Sequence, residues 1–275
     1  MDPIGSKIDY FIVCHDQDII NQQINKNIFR NLPSYKFLFV GNGKTSKLNH
    51  LDHETIICRN LKYNLEEYPY LCSFVAWYAV VKNSLYQNKN ICLLEYDIEL
   101  DTKFHQINAG LINKYNKNNY IIGYNKTLTD HYVFYKSTPW LAISLKKIYN
   151  IDLQQFVDAN KHQYKFWPTT TNITLSKQIL NKFVDWFLPM TEVFRHDPFG
   201  AYVHERAFFI FCILNQLNIK YASNTLEHKQ LASHGISDFY GSFLHSKNSH
   251  QLHHYMLKEY DELYENLERR CKEEN

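Results

Sequence analysis

The chain has no Cys-x-x-Cys pair, no apolar leader, no run long enough to cross a membrane and almost no net charge. Each absence excludes a class. Its six cysteines, at 14, 58, 72, 92, 212 and 271, stand singly, several inside apolar runs such as Phe11-Ile12-Val13-Cys14 and Ile91-Cys92-Leu93-Leu94. That pattern argues against a disulfide or zinc framework and fits reduced thiols acting as small hydrophobes. The opening Met1-Asp2-Pro3-Ile4-Gly5-Ser6-Lys7 has no signal-peptide core, and a span needs about 20 apolar residues. A soluble, cytoplasmic protein without a transmembrane segment is expected. With 30 Lys and Arg against 28 Asp and Glu, interspersed along the chain, the net charge of +2 predicts no strong grip on nucleic acid or an anionic membrane. Glycine is also scarce, at 8 residues, and Gly41-Asn42-Gly43-Lys44-Thr45 lacks the full spacing of a phosphate-binding P-loop.

What is present is a globular composition, 45% hydrophobic and 16% aromatic, in 275 residues. Short apolar runs at 10–14, 35–40 and 55–58 end in turn residues and are separated by helical lengths. They read as buried parallel strands in βαβ units. Residues 68–85 carry apolar side chains at helical spacing, and a break at 88–90 leads into Ile91–Leu94 and then Glu95-Tyr96-Asp97. Further strands are expected at 120–123, 132–135 and 219–222. Helices are expected at 139–149, 179–187 and 207–217, with an amphipathic helix from 251 to the C-terminus. Residues 166–172 and 226–235 read as loops. No repeat or linker is visible, so one domain is expected over 1–275.

The junction at Glu95 and Asp97 is the chemical focus. Carboxylates at a strand's carboxyl end lie where open α/β sheets bind ligands, and hard oxygens suit Mg²⁺ or Mn²⁺ bridging a diphosphate. Glu205, placed by its sequence at the start of an apolar helix, is a candidate general base, with Asp197 as runner-up. His15-Asp16 and Arg59 follow the first and third strands, and Lys82 ends the long helix.

The order of these features resembles GT-A glycosyltransferases: strand-His-Asp, strand-Gly-Asn-Gly, the aromatic helix Phe74 to Asn83, then Leu93-Leu94-Glu95-Tyr96-Asp97. In that family the acidic motif is written D-x-D and tolerates E-x-D; here Glu95 stands in for the usual Asp. Phe74 to Asn83, His204-Glu205-Arg206-Ala207-Phe208, Leu226-Glu227-His228 and Ser233-His234 are similar to stretches of bacterial capsular-polysaccharide and viral glycosyltransferases. The resemblance spans about residues 8–236. It implies a GT-A-like single α/β domain, a mostly parallel central sheet flanked by helices, with a C-terminal helix. A nucleotide-binding half would occupy about 8–101, an acceptor and catalytic half about 102–236, and the helical segment about 250–272.

The implied reaction is a metal-dependent, inverting transfer from a nucleoside-diphosphate sugar, UDP-linked, to a glycan or other hydroxyl acceptor. His15, Asp16, Arg59, Lys82, Glu95, Tyr96 and Asp97 would bind the nucleotide sugar. Asp97, Glu95, His228 and His234 would serve Mn²⁺ or Mg²⁺. Trp167, Thr171 and Asn172 would line the acceptor site. A nucleotidyltransferase or a non-catalytic nucleotide- or carbohydrate-binding protein is the alternative.

Overall fold

The computed structural model describes residues 8–41, 43, 55–68, 71–115, 119–128, 139–160, 162–168, 171–192, 194, 200–222 and 224–229. Strands β1 (Ile8–Cys14), β2 (Tyr35–Phe39) and β3 (Thr55–Ile57) are followed by β4 (Asn90–Glu95) and the short β5 (Ile98–Leu100). The helices among them are α1 (Gln17–Asn25), α2 (Ser73–Lys82) and α3 (Phe104–Lys114). After these come β6 (Tyr120–Gly123), β7 (Lys126–Leu128), α4 (Pro139–Tyr149), α5 (Leu153–Asn160), β8 (Phe166–Pro168), β9 (Ile173–Ser176), α6 (Lys177–Phe187), α7 (Gly200–Leu214), β10 (Asn218–Tyr221) and β11 (Leu226–His228).

Seven strands form one sheet in the order β10-β6-β9-β4-β1-β2-β3. β1 pairs in parallel with β2 and β4, β2 with β3, and β10 with β6; β9 alone runs antiparallel, between β4 and β6. The expected parallel runs are therefore present, and strands from before and after residue 101 share the sheet. Both faces are covered, so the strands need apolar residues on both sides. Along β1, Phe11 and Val13 join one core cluster, while Tyr10, Ile12 and Cys14 join the other. The first cluster takes in α2, α6 and α7, with Phe74, Trp77, Phe183, Phe187 and Phe208 in mutual ring contact. α2 buries seven of its ten residues, which explains a helix that is apolar almost all round.

Several elements differ from the sequence reading. Residues 166–172 contain strand β8 and lead straight into β9, which has no turn before α6 because Ser176 itself caps that helix. Leu226–His228 is a strand only by virtue of pairing with β5. α7 begins at Gly200, five residues before Glu205, because Val203, Ala207 and Ile210 bury one continuous face. The expected strand at 132–135 and the C-terminal helix lie outside the described residues.

Candidate active site

Parallel pairing brings the carboxyl ends of β1, β2, β3 and β4 to one edge of the sheet. His15 and Asp16 leave β1 there. The Asp16 carboxylate caps α1, accepting from the Asp18 and Ile19 amides at 2.8 and 3.1 Å. Gly43 lies so close to β1 that a Cβ would stand 2.6 Å from the His15 carbonyl oxygen, so only glycine fits. Arg59, on the single 3₁₀ turn after β3, donates to the Gly41 carbonyl at 3.4 Å. The Gly41 amide donates to Glu66 at 2.7 Å. Burial pushes the Glu66 carboxyl up, an effect the Gly41 hydrogen bond and the Arg59 charge oppose.

The acidic motif follows β4, and its two carboxylates are treated differently. Glu95 is clamped by the strand beside it: Thr171 donates to one carboxylate oxygen and Asn172 to the other, each at 3.0 Å. The Asn172 side-chain oxygen Oδ1 accepts from the Glu95 backbone amide at 2.8 Å. Asp97 is buried with 2% exposure, and its main chain is held from both sides. The Gln23 side chain of α1 donates to the Tyr96 and Ile98 carbonyls at 3.0 and 2.7 Å, and the Lys229 amide donates to the Asp97 carbonyl at 2.8 Å. Tyr96 lies edge-on to His15, with its hydroxyl 3.3 Å from His15 Nε2. Burial raises its phenol pKa, and the charges of Asp97, Asp16 and Glu95 push it further.

Glu205, on α7, is near enough for its charge to act on a residue that Glu95 also acts on. The link is Cys72, at the start of α2, whose thiol is pushed up to about 11 by burial, then by the charge of Glu205, then by that of Glu95. Cys72 holds a φ of 43° and ψ of −115°, a strained backbone for a residue with a side chain. Glu205 itself sits well inside α7 rather than at its first turn, so the helix-dipole reason for an acid there falls away.

Other expected site residues are placed as follows. His228 is the register partner of Ile98, next to Asp97, which brings that late strand to the acidic motif. Lys82 ends α2, about 15 Å along the helix from Cys72, and pairs with Asp185 at 2.7 Å. Trp167 is buried, with the Arg206 guanidinium over its ring at 5.3 Å, so its ring does not face an open cleft. Thr171 and Asn172 are buried too, occupied with Glu95 rather than presented to an acceptor. Asp197 and His234 lie outside the described residues. Gln23 and Lys229 are absent from the sequence reading, and Cys72 figures there only as one of six reduced thiols. Gln17, Ile20 and Gln23 share the buried face of α1, and a glutamine in that stripe is the one signal available beforehand.

Among the described residues no group of three or more His, Cys, Asp or Glu is gathered as a ready-made metal cage. The donor chemistry nonetheless fits a hard divalent cation: Asp97 offers an anionic oxygen, and Asp16, Glu95 and Glu205 make the surroundings negative. Such an ion would complete its shell with ligand diphosphate oxygens and water.

No protein-family model matches the chain, and no curated protein matches it. Solved structures do resemble it. WbbM, a bifunctional glycosyltransferase solved without ligand, shares 14% identity at a TM-score of 0.52, covering 82% of this chain and 45% of its own. A Mycobacterium tuberculosis glucosyl-3-phosphoglycerate synthase, solved with Mn²⁺, UDP and phosphoglyceric acid, gives 7% identity and a TM-score of 0.45, over 87% and 75% of the two chains. Core-mannan synthase A of Aspergillus fumigatus, in its Mn/GDP form, gives 8% and 0.45, over 86% and 83%. This chain thus spans less than half the length of WbbM, and the likeness is one of fold. That fold is the mixed α/β arrangement of GT-A-type glycosyltransferases, a mostly parallel sheet flanked by helices.

Proposed function

We propose that the chain is a metal-dependent, inverting glycosyltransferase that takes a nucleoside-diphosphate sugar, UDP-linked, and passes the sugar to a hydroxyl acceptor. One observation carries the reading: the acidic motif stands at the carboxyl edge of the parallel strands, with Glu95 held by Thr171 and Asn172 and Asp97 buried beside it, and the charge of Glu205 on α7 bears on Cys72 together with that of Glu95. The nucleotide would lie along the ends of β1 to β3, with His15, Asp16 and Arg59 within reach. The diphosphate would meet Asp97, whose main chain is braced by Gln23 and Lys229. Glu95 would act as a fixed support, because Thr171 and Asn172 already hold both its oxygens.

Glu205 would take the proton from the acceptor hydroxyl as that oxygen forms its bond to the anomeric carbon and the bond to the diphosphate breaks. Mn²⁺ or Mg²⁺, held by Asp97, would supply Lewis-acid stabilisation of the leaving diphosphate. His228, by its register beside Asp97, is the candidate for a further ligand. Lys82 has no part, being at the far end of α2.

The test is thermal unfolding with UDP, GDP and their sugars, with and without Mn²⁺. A ligand at about 100 times its dissociation constant adds about 2.7 kcal/mol, which is readily seen. A Mn²⁺-dependent UDP shift that disappears in Asp97→Asn is expected. No shift with any nucleotide sinks the proposal, and a shift with GDP alone corrects the donor.

A further inference from the structure

Acids and bases alternate over much of the chain, but three segments carry bases alone. Residues 102–129, 159–184 and 206–226 contain no Asp or Glu and ten Lys or Arg, so all 28 acids and the other 20 bases lie elsewhere. These segments are neighbours in space: they supply β6, β9 and β10, consecutive in the sheet, together with α3, β7, β8 and most of α6 and α7. The small net charge of +2 therefore coexists with three neighbouring strands, β6, β9 and β10, that carry no acid of their own.

On that side β10 is the last strand of the sheet among the described residues. Lysines line it on both faces, each resting on an aromatic ring. Lys220 and Lys114 lie 5.3 and 5.4 Å from the Tyr115 centroid. Across the strand, Lys126 lies 4.9 Å from Phe166 and 5.7 Å from Tyr221, and Lys165 lies 5.7 Å from Phe166. The Tyr221 hydroxyl donates to the Phe166 carbonyl at 3.0 Å, which ties β8 to this edge. The ion pairs among the described residues involve Lys82 and Lys229, neither of them part of the strip. A ring beneath an ammonium group orients its charge at little entropic cost.

The strip runs between two places that matter. At one end, β6 continues to Tyr124, whose amide donates to the carbonyl of Asn172, the residue that clamps Glu95. At the other, the Asn218 amide donates to the Asn119 carbonyl, beside a shallow cavity lined by Asn119, Gln178, Lys182 and Asn215 together with the apolar Ile179, Phe211 and Leu217. Amides and ammonium groups in a row suit sugar hydroxyls interspersed with carboxylates or phosphates. A bilayer fits less well, because the exposed large hydrophobics among the described residues are only Tyr63 and Leu214. Single-stranded nucleic acid fits less well too, because the lysines cover ring faces on which bases would stack.

We propose that the β10 edge is a binding strip for an extended anionic glycan, which serves as the acceptor. The acceptor role rests on the transferase reading; the binding does not. Lysines on an edge strand also guard against edge-to-edge pairing, so the test must separate the two roles.

The intact chain is titrated with polygalacturonate, a carboxylated glycan, and with neutral dextran. The triple variant Lys126→Gln, Lys165→Gln, Lys220→Gln is compared with Lys26→Gln, Lys36→Gln, Lys62→Gln, which makes the same charge change outside the acid-free segments. The wild type should bind polygalacturonate and not dextran, weakening at least about tenfold from low to high salt as screening grows. The strip variant should lose at least about tenfold in affinity and the control less than about twofold. An unchanged unfolding temperature shows that the strip variant is folded. Equal losses in both variants, absence of polygalacturonate binding, or tighter binding to phosphatidylserine vesicles or oligothymidine overturns the proposal. So does self-association of the strip variant with polygalacturonate binding intact. Because no donor or metal is present, these outcomes are independent of the nucleotide shift that tests the transferase reading.

Discussion

The two ends of α2 are ten residues apart and have nothing in common chemically. At the first end, Cys72 holds a strained backbone, is half-buried, and lies within the field of Glu95 and Glu205. At the second, Lys82 forms an ion pair with Asp185 in the solvent, the two side chains 31% and 63% exposed. Between them the helix is almost pure core. One end therefore concentrates negative charge and strain where the parallel strands terminate, and the other is ordinary surface. Strain of this kind costs about 1–3 kcal/mol and persists only where the surroundings enforce it, which makes the first end the one to test.

The largest expected effect comes from removing the candidate base at that first end. Glu205→Gln keeps the shape and loses the proton acceptor. Transfer should fall by about 10²–10⁴-fold in kcat, the range typical of a positioned base. The Mn²⁺-dependent UDP shift should persist, because Glu205 is not placed among the donor's contacts. Wild-type turnover in Glu205→Gln would erase the contrast between the two ends and remove the inverting mechanism as drawn.

The sheet was largely legible beforehand, and the reason is physical. β1, β2 and β4 are buried on both faces, so they appear as unbroken apolar runs ended by His15, Gly41 and Glu95. β9 was not legible, because four residues passing directly into a helix leave no turn to mark them. Of the site, Glu95 and Asp97 could be read from carboxylates at the end of a strand, whereas the helix start that points to Glu205 lies five residues earlier. Their support could not: Asn172 holding Glu95, and Gln23 holding the chain around Asp97, are contacts across 77, 73 and 75 residues of sequence. Lys82 and Trp167 show the opposite failure. Each has a suitable side chain, but helix length carries one away from the edge, and the pleat of β8 turns the other into the core.

A smaller effect sharpens the electrostatic part of the comparison. The Cys72 thiol, pushed up to about 11, should stay protonated at neutral pH and resist iodoacetamide until strongly alkaline conditions. Carboxylate charge disfavours the thiolate, so removing one carboxylate must lower the value. In Glu205→Gln the alkylation midpoint should move down, toward the ordinary range near 8.5. The raised value also stabilises the fold below the unfolded thiol's pKa, and that contribution disappears as pH rises through about 11. Cys58 and Cys92, both pushed up to about 12 by burial, would fade later, so alkylation mapped to Cys72 is the cleaner measurement. An unmoved midpoint in Glu205→Gln would separate Glu205 from Cys72 and break the site's central link.

The smallest effect belongs to the far end of the helix. Lys82 has a reason to be where it is that owes nothing to phosphate: it is a cation in the last turn of α2, paired with Asp185 at 2.7 Å. Both partners are open to water, so screening leaves the pair with no more than about 1 kcal/mol. Lys82→Ala should therefore lower the unfolding temperature by at most about 2–4 °C. It should leave the Mn²⁺-dependent UDP shift and the rate of transfer as they are. A tenfold loss of donor affinity in this variant, with the fold intact, would mean that the diphosphate reaches the C-terminal end of α2. The two ends of the helix would then belong to one site, and the placement of the donor at the strand edge would have to be redrawn around Lys82.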